Sequence, residues 1–192
     1  MKKILAILFS IILSSSYIFA QDSDFFSWDI GFSTGIPFHY GESNSNISNF
    51  DANTLNRVLA GTTSNIYLKI AETAFIDLGI DSLFDFKWNA SDYANSIDYA
   101  FFGGVKIYPG LGGLNFSIAY CFGNRSDFLK IDGEKDIFQH SWGNGARFSL
   151  EYDFNYLKET TIKPIVGGYY RFIPRGNYVY DHILCAYVAL KF

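Results

Sequence analysis

The sequence predicts an all-β protein, an eight-stranded antiparallel up-and-down transmembrane β-barrel preceded by a cleaved signal peptide. Three observations predict it. Apolar and polar side chains alternate with a period of two through eight successive segments, as in strands whose two faces meet different surroundings. The apolar face carries most of the 20 Phe, 14 Tyr and 3 Trp, more bulk than the interior of an eight-stranded barrel accepts. The segments are also long enough to cross a bilayer, although no apolar run after Ala20 is long enough for a spanning helix.

Lys2 and Lys3 open the chain, Ile4 to Leu13 is apolar, and Ser14 to Ala20 leads into polar Gln21, Asp22 and Ser23. A basic start, a short apolar core and a small final residue predict that residues 1–20 are a secretory signal and 21–192 the barrel domain. A membrane-anchoring helix is the weaker reading, because no basic cluster follows Ala20. Removing Lys2 and Lys3 leaves 13 of the 15 basic residues against 19 acidic ones, a charge of -6. That balance argues against a nucleic-acid partner, whose phosphates require a basic footprint.

The first strand sorts Phe26, Trp28, Ile30, Phe32, Thr34, Ile36, Phe38 and Tyr40 from Ser27, Asp29, Gly31, Ser33, Gly35, Pro37 and His39. Gly41 to Asn56, rich in Asn, Ser, Asp and Gly, reads as a long loop. Alternation resumes over Val58–Ile70, and a short turn leads to a third strand with Ile76, Leu78, Ile80, Phe84, Phe86 and Trp88 on one face. Asn89 to Asn95 reads as a turn. The fourth strand sets Ile97, Tyr99, Phe101, Val105 and Ile107 against Asp98, Gly104 and Lys106, and ends at the Pro109–Gly113 turn. The fifth sets Leu114, Phe116, Ile118, Tyr120 and Phe122 against Asn115, Ser117, Ala119, Cys121 and Gly123. Asn124 to Gln139 reads as a second long polar loop. The sixth strand runs from Trp142 to Phe154, and Asn155 to Glu159 reads as a turn. The seventh sets Ile162, Val166, Tyr170 and Phe172 against Lys163, Gly167 and Arg171, with Pro164, Ile165 and Tyr169 blurring the pattern. After Pro174–Asn177, the last strand carries Leu184, Ala186, Val188, Leu190 and Phe192 on one face.

Volume decides which face looks outward: Gly, Ser, Ala and charged residues fit inside, and the bulky residues face lipid. Twelve steps at about 3.3 Å, tilted about 45°, lift the chain from Phe26 to Phe38 by roughly 28 Å. This matches an apolar band of about 25 Å edged by aromatic girdles. Pro37, lacking an N–H, should interrupt the ladder near the upper rim.

With these eight segments, and with a last strand placing Val188, Leu190 and Phe192 at steps of two, residues 26–192 resemble the small OmpA/OmpX-like outer-membrane β-barrels of bacteria. The resemblance implies a bacterial outer-membrane location, outer-membrane lipid as surroundings, and a terminal Val188, Leu190, Phe192 signal read by the outer-membrane assembly machinery.

The inward face is expected to hold a polar network of Lys69, Lys106, Arg147, Lys163 and Arg171 with Asp29, Asp77, Asp81, Asp85, Glu151 and Asp181. Mixed charges in a narrow lipid-walled lumen pair rather than stay unpaired, so the network reads as a plug, with a narrow ion path as the alternative. Lys69, Asp77 and Lys106 are expected to meet low in the lumen. Cys121 and Cys185 share a height but lie three strands apart, beyond disulfide reach, and are expected as free lumenal thiols. His39, His140 and His182 fall near the upper rim on different strands and read as surface or girdle residues; no metal site or cofactor is expected.

Adjacent His140 and Ser141 face opposite ways, unlike the His and Ser of lipid A deacylase (PagL-like) barrels, which one residue separates. Palmitoyl-transferring (PagP-like) barrels carry an N-terminal amphipathic helix, whereas this chain is expected to enter its first strand within a few residues of Gln21, and no enzyme is expected. A soluble lipocalin-like carrier would carry Gly-x-Trp at its first strand, where Phe26, Ser27 and Trp28 stand. The expected role is a plugged barrel whose Gly41–Asn56 and Asn124–Gln139 loops serve adhesion to a host or surface ligand, partner binding or envelope integrity. The alternative is a narrow OmpW-like pore for ions or small solutes.

Overall fold

The computed structural model describes residues 25–40, 50, 56–156, 162–176 and 178–192. The predicted signal segment, all of the Gly41–Asn56 loop but Phe50 and Asn56, and part of the Asn155–Glu159 turn lie outside the described residues. Nine strands follow in order: β1 (Phe26–Tyr40), β2 (Asn56–Ala71), β3 (Ala74–Asn89), β4 (Asp92–Ile107), β5 (Leu114–Ile131), β6 (Glu134–Gln139), β7 (Gly143–Asp153), β8 (Lys163–Gly176) and β9 (Val179–Lys191). All pairings are antiparallel, and both β6 and β7 pair with β5. Between them His140, Ser141 and Trp142 stand opposite only Asn124 and Arg125 of β5, a bulge that breaks one wall position into two strands. Because β1 pairs with β9 and β4 with β5, the wall closes on itself as a barrel of eight strand positions.

Alternation produces the predicted outer face. Phe32, Ile118, Leu150 and Val188 are exposed, a belt that only lipid can cover without the cost of apolar surface in water. Trp28 stacks on Phe192 and Tyr40 on Tyr180, each at 4.6 Å between centroids. These two pairs mark the lower and upper girdles along the β1–β9 seam. Close strand approach explains Gly145: a Cβ there would lie 1.8 Å from the Phe172 carbonyl oxygen across the β7–β8 seam.

Three expectations need correction. Asn124–Gln139 is not a loop: its first half extends β5, its second half is β6, and Asp132 (φ 53) with Gly133 (φ 86) makes the two-residue turn. Asp-Gly with both residues at positive φ is the preferred tight hairpin connection. Inward Arg125 and Asp127 beside outward Asn124 and Ser126 hid the strand, since charged and polar residues on both faces leave no alternation to read. The Asn89–Asn95 turn shrinks to Ala90 and Ser91, with Asp92–Asn95 in β4. Nor is the interior only small and charged: Tyr67, Leu83, Phe102, Ile165, Tyr169, Ile173, Ile183 and Tyr187 are buried in it. Strand β8 blurred in the sequence because both of its faces are apolar, with Ile165, Tyr169 and Ile173 inside.

The upper rim is uneven. β1 pairs with β2 only up to Ser33↔Gly61, yet it follows β9 to Tyr40↔Tyr180, and β2 follows β3 to Asn56↔Trp88. Trp28 N–H donates to the Phe192 carbonyl (3.1 Å), so by strand alternation the nitrogen of Pro37 faces β2. The ladder interruption at Pro37 therefore falls on the β2 side, where pairing has already stopped. On the other flank the β7–β8 register reaches Ala146↔Phe172, and β6 stands above it paired only with β5. Above these last pairs β1 and β2 part from one another, and the β5–β6 hairpin extends past the β7–β8 pairing.

Candidate functional site

Low in the lumen, Asp29 accepts hydrogen bonds from Asn65 Nδ2 (2.7 Å) and from the Tyr67 hydroxyl. Lys106 Nζ donates to the Tyr67 oxygen (2.8 Å) and to Glu151 Oε2 (2.5 Å). Ser149 supports Glu151 from the same strand at 3.0 Å. Lys191 Nζ lies 3.5 Å from Asp153 Oδ2 and 3.3 Å from the Tyr108 hydroxyl. At the mouth below, Tyr156 stacks on Tyr108 at 4.0 Å. Burial, and next the Asp153 carboxylate, push the phenols of Tyr108 and Tyr156 above their ordinary range.

At mid-height Arg171 of β8 reaches across the lumen to Asp81 of β3 and Asp98 of β4. Arg147 is held between the rings of Phe102 and Tyr169, 4.2 and 4.4 Å from their centroids, with Nε 3.2 Å from Asp81 Oδ2. Apolar side chains pack around these ions: Leu83, Ile165 and Ile183 in one cluster, Ala100, Phe102 and Ile173 in another. Cys121 and Cys185 are buried free thiols within the same clusters.

Higher up, Asp181 receives Arg125, Arg175 Nε (2.5 Å) and His39 Nδ1 (2.9 Å). Asp127 receives Ser96 Oγ (2.7 Å) and lies 2.7 Å from His140 Nε2. Arg175 Nη1 also donates to the carbonyls of Gly123 (2.6 Å) and Ser141 (2.9 Å), pinning β8 to the β6–β7 bulge. At the rim Arg57 clamps Asp85 with two bonds of 2.8 Å, the bidentate geometry favoured by a guanidinium.

Of the predicted lumen residues, Asp29, Asp77, Asp81, Asp85, Lys106, Arg147, Glu151, Arg171 and Asp181 are buried, whereas Lys69 and Lys163 are half-buried at the lower rim. Of the expected meeting of Lys69, Asp77 and Lys106, the last two are neighbours on adjacent strands, while register sets Lys69 at the lower rim. Asp77 stands opposite Tyr67 and Lys69 opposite Phe75, while Lys106 turns to Tyr67 and Glu151. The expectation for the histidines holds for one of the three. His182 lies in the girdle against Phe172 (4.7 Å), but His39 and His140 point into the ion network. His39, Asp98 and Asp181 bring one ligand atom each within 4.8 Å of one another. Arg125, Arg171 and Arg175 already neutralise those carboxylates, so a cation would have to displace guanidinium groups.

Sequence reasoning passed over Asp98, Arg125, Asp127, Asp153, Arg175 and Lys191 as members of the network. Parity alone could have found Asp98, which shares its face with Lys106, and Lys191, which shares its face with Cys185.

No protein-family model and no curated protein matches this sequence. Among solved structures, the chain is similar to Ail, the attachment invasion locus protein of Yersinia pestis. Identity is 10% and the TM-score 0.58, over 87% of this chain and 97% of that one. The same protein in complex with the heparin analogue sucrose octasulfate gives 9% identity and a TM-score of 0.56, over 87% and 97% of the two chains. Neisserial surface protein A is similar at 13% identity and a TM-score of 0.50, again over 87% and 97%. At such identities the likeness is one of fold: the chain has the eight-stranded barrel fold of small outer-membrane proteins.

Proposed function

We propose that the protein is a non-enzymatic barrel of the bacterial outer membrane, closed to solute flow, that works through the rim carrying the β5–β6 hairpin. In this reading residues 1–20 direct export and are removed. The observation that carries it is Arg171, 1% exposed, spanning from β8 to Asp81 and Asp98 on the far wall. A lumen crossed by such a strut, with ion pairs above and below it, is filled rather than open. His140 is engaged with Asp127 and Arg125, which argues against a hydrolytic pairing with Ser141. Ail has been solved with a polysulfated ligand. The charge of -6 on the exported chain favours a different surface partner here.

Purified, refolded protein in planar bilayers is expected to give no steady single-channel conductance. Steady conductance would overturn the proposal in favour of a narrow pore for ions or small solutes. Outward-facing Val188, Leu190 and Phe192 act in this reading as the mark recognised by the assembly machinery. Phe192→Ala is expected to fold in detergent yet accumulate unassembled in cells, as scored by the cold-gel mobility of folded barrel; wild-type assembly of that variant would refute the assignment.

A further inference from the structure

Strand β6 offers a bare edge. Among the described residues it pairs with β5 alone and ends the strand order of the sheet. His140 N–H donates to the Arg125 carbonyl (3.0 Å), so by alternation Glu134, Asp136 and Phe138 turn their backbone groups to β5. Lys135, Ile137 and Gln139 then turn theirs away from the sheet. An unpaired strand rim of this kind is a template for another extended segment. Every residue of β6 except half-buried Phe138 is exposed.

The side chains beside this edge choose the occupant. Register places Glu134 opposite Ile131 and Asp136 opposite Leu129, on the inner face of the wall. Those residues and Asp132 line a cavity of about 370 Å³. Ile131, 37% exposed, offers an apolar side to an aliphatic stem, while Leu129 beneath it is buried against Ala94, Phe50 and Phe138. The three carboxylates suit a cationic head, and stem and head are the two halves of a lysine or arginine side chain. A strand added to β6 sets its own alternate residues beside Glu134 and Asp136, where opposite charge is favourable and like charge is not.

We infer that the β6 edge docks an extended partner segment that carries Lys or Arg at alternate positions, by strand addition. This rests on the proposed function, since it names the surface through which a closed barrel would act. The full chain, refolded in zwitterionic phosphatidylcholine nanodiscs, is titrated with a fluorescent octapeptide alternating Lys with Val at physiological salt. Two further peptides carry N-methyl groups on every Lys or on every Val nitrogen. One set lies on the pairing edge, so one methylated peptide should bind about tenfold more weakly and the other like the parent.

Ile137→Pro removes a donor from the bare edge without touching the β5 ladder and should weaken the parent peptide similarly, while Ile137→Val should not. The variant with Glu134→Lys and Asp136→Lys should prefer the peptide with Glu in place of Lys. Equal binding of both methylated peptides, binding unchanged by Ile137→Pro, or dimerisation through β6 in place of peptide binding would overturn the inference. A silent barrel that ignores the peptides fails this inference alone. A conducting barrel fails the proposed function whether or not peptides bind.

Discussion

Arg171→Met is expected to lower the stability of the barrel by about 3 kcal/mol, the lower part of the range of about 3–5 kcal/mol for breaking a buried ion pair from one side. The substitution keeps most of the side-chain volume and removes only the charge. Asp81 and Asp98 then stay behind in a lipid-walled interior with weaker partners: Arg147 Nε at 3.2 Å from Asp81 and Arg175 Nη2 at 3.6 Å from Asp98. Those two guanidinium groups set the effect low in the range rather than removing it. Urea unfolding followed by fluorescence of the three tryptophans measures it as a fall in midpoint at unchanged slope. Adding Asp81→Asn and Asp98→Asn to Arg171→Met removes the stranded charges and should restore much of the loss. Such a recovery separates an ion-pair strut from a merely bulky filler. An Arg171→Met barrel with the wild-type midpoint would mean that water already solvates the mid-lumen, and the plug reading would fail with it.

Alternation made the outer face legible because lipid imposes one requirement on every outward residue. The lower half of β5 satisfies it without exception, and β1 and β3 do so apart from Thr34 and Ser82, whose hydroxyls bond to Leu59 O and Thr62 Oγ1. Inside, the requirement is collective. Each charge needs a partner from another strand, and register rather than parity decides which. Parity placed Lys69 and Asp77 on one face across a short turn, but register moved Lys69 to the rim and gave Lys106 to Glu151. The volume argument identified the outward face correctly and still underestimated the interior, which accepts Tyr169 and Phe102 because they sandwich Arg147. Where the wall leaves the membrane, the apolar requirement lapses on both faces, and the top of β5 with β6 lost its strand signature. The Asp132–Gly133 dipeptide was the one local mark of that hairpin, since its geometry depends on backbone dihedrals and not on burial.

Ile118→Arg is expected to cost about 2–4 kcal/mol of folding stability in lipid bilayers, the range for an arginine on the lipid face near the midplane. Ile118 is 54% exposed and sits halfway up the membrane part of β5, between Leu114 below and the Phe122–Trp142 stack at 4.5 Å above. Its outward neighbours in register are Val105 and Phe148, neither of which offers a counter-ion. Snorkelling of the long side chain towards the upper girdle limits the penalty but cannot abolish it. Ile137 supplies the comparison: it is 63% exposed, also outward-facing, and stands on the β6 wall above the girdle. There Ile137→Arg should change stability by less than about 0.5 kcal/mol, as a surface substitution in water does. Reversible unfolding of both variants from vesicles reads the two costs in one system. A water-soluble carrier with an apolar interior would make the two substitutions nearly equal, so a clear gap between them depends on lipid covering one position and water the other.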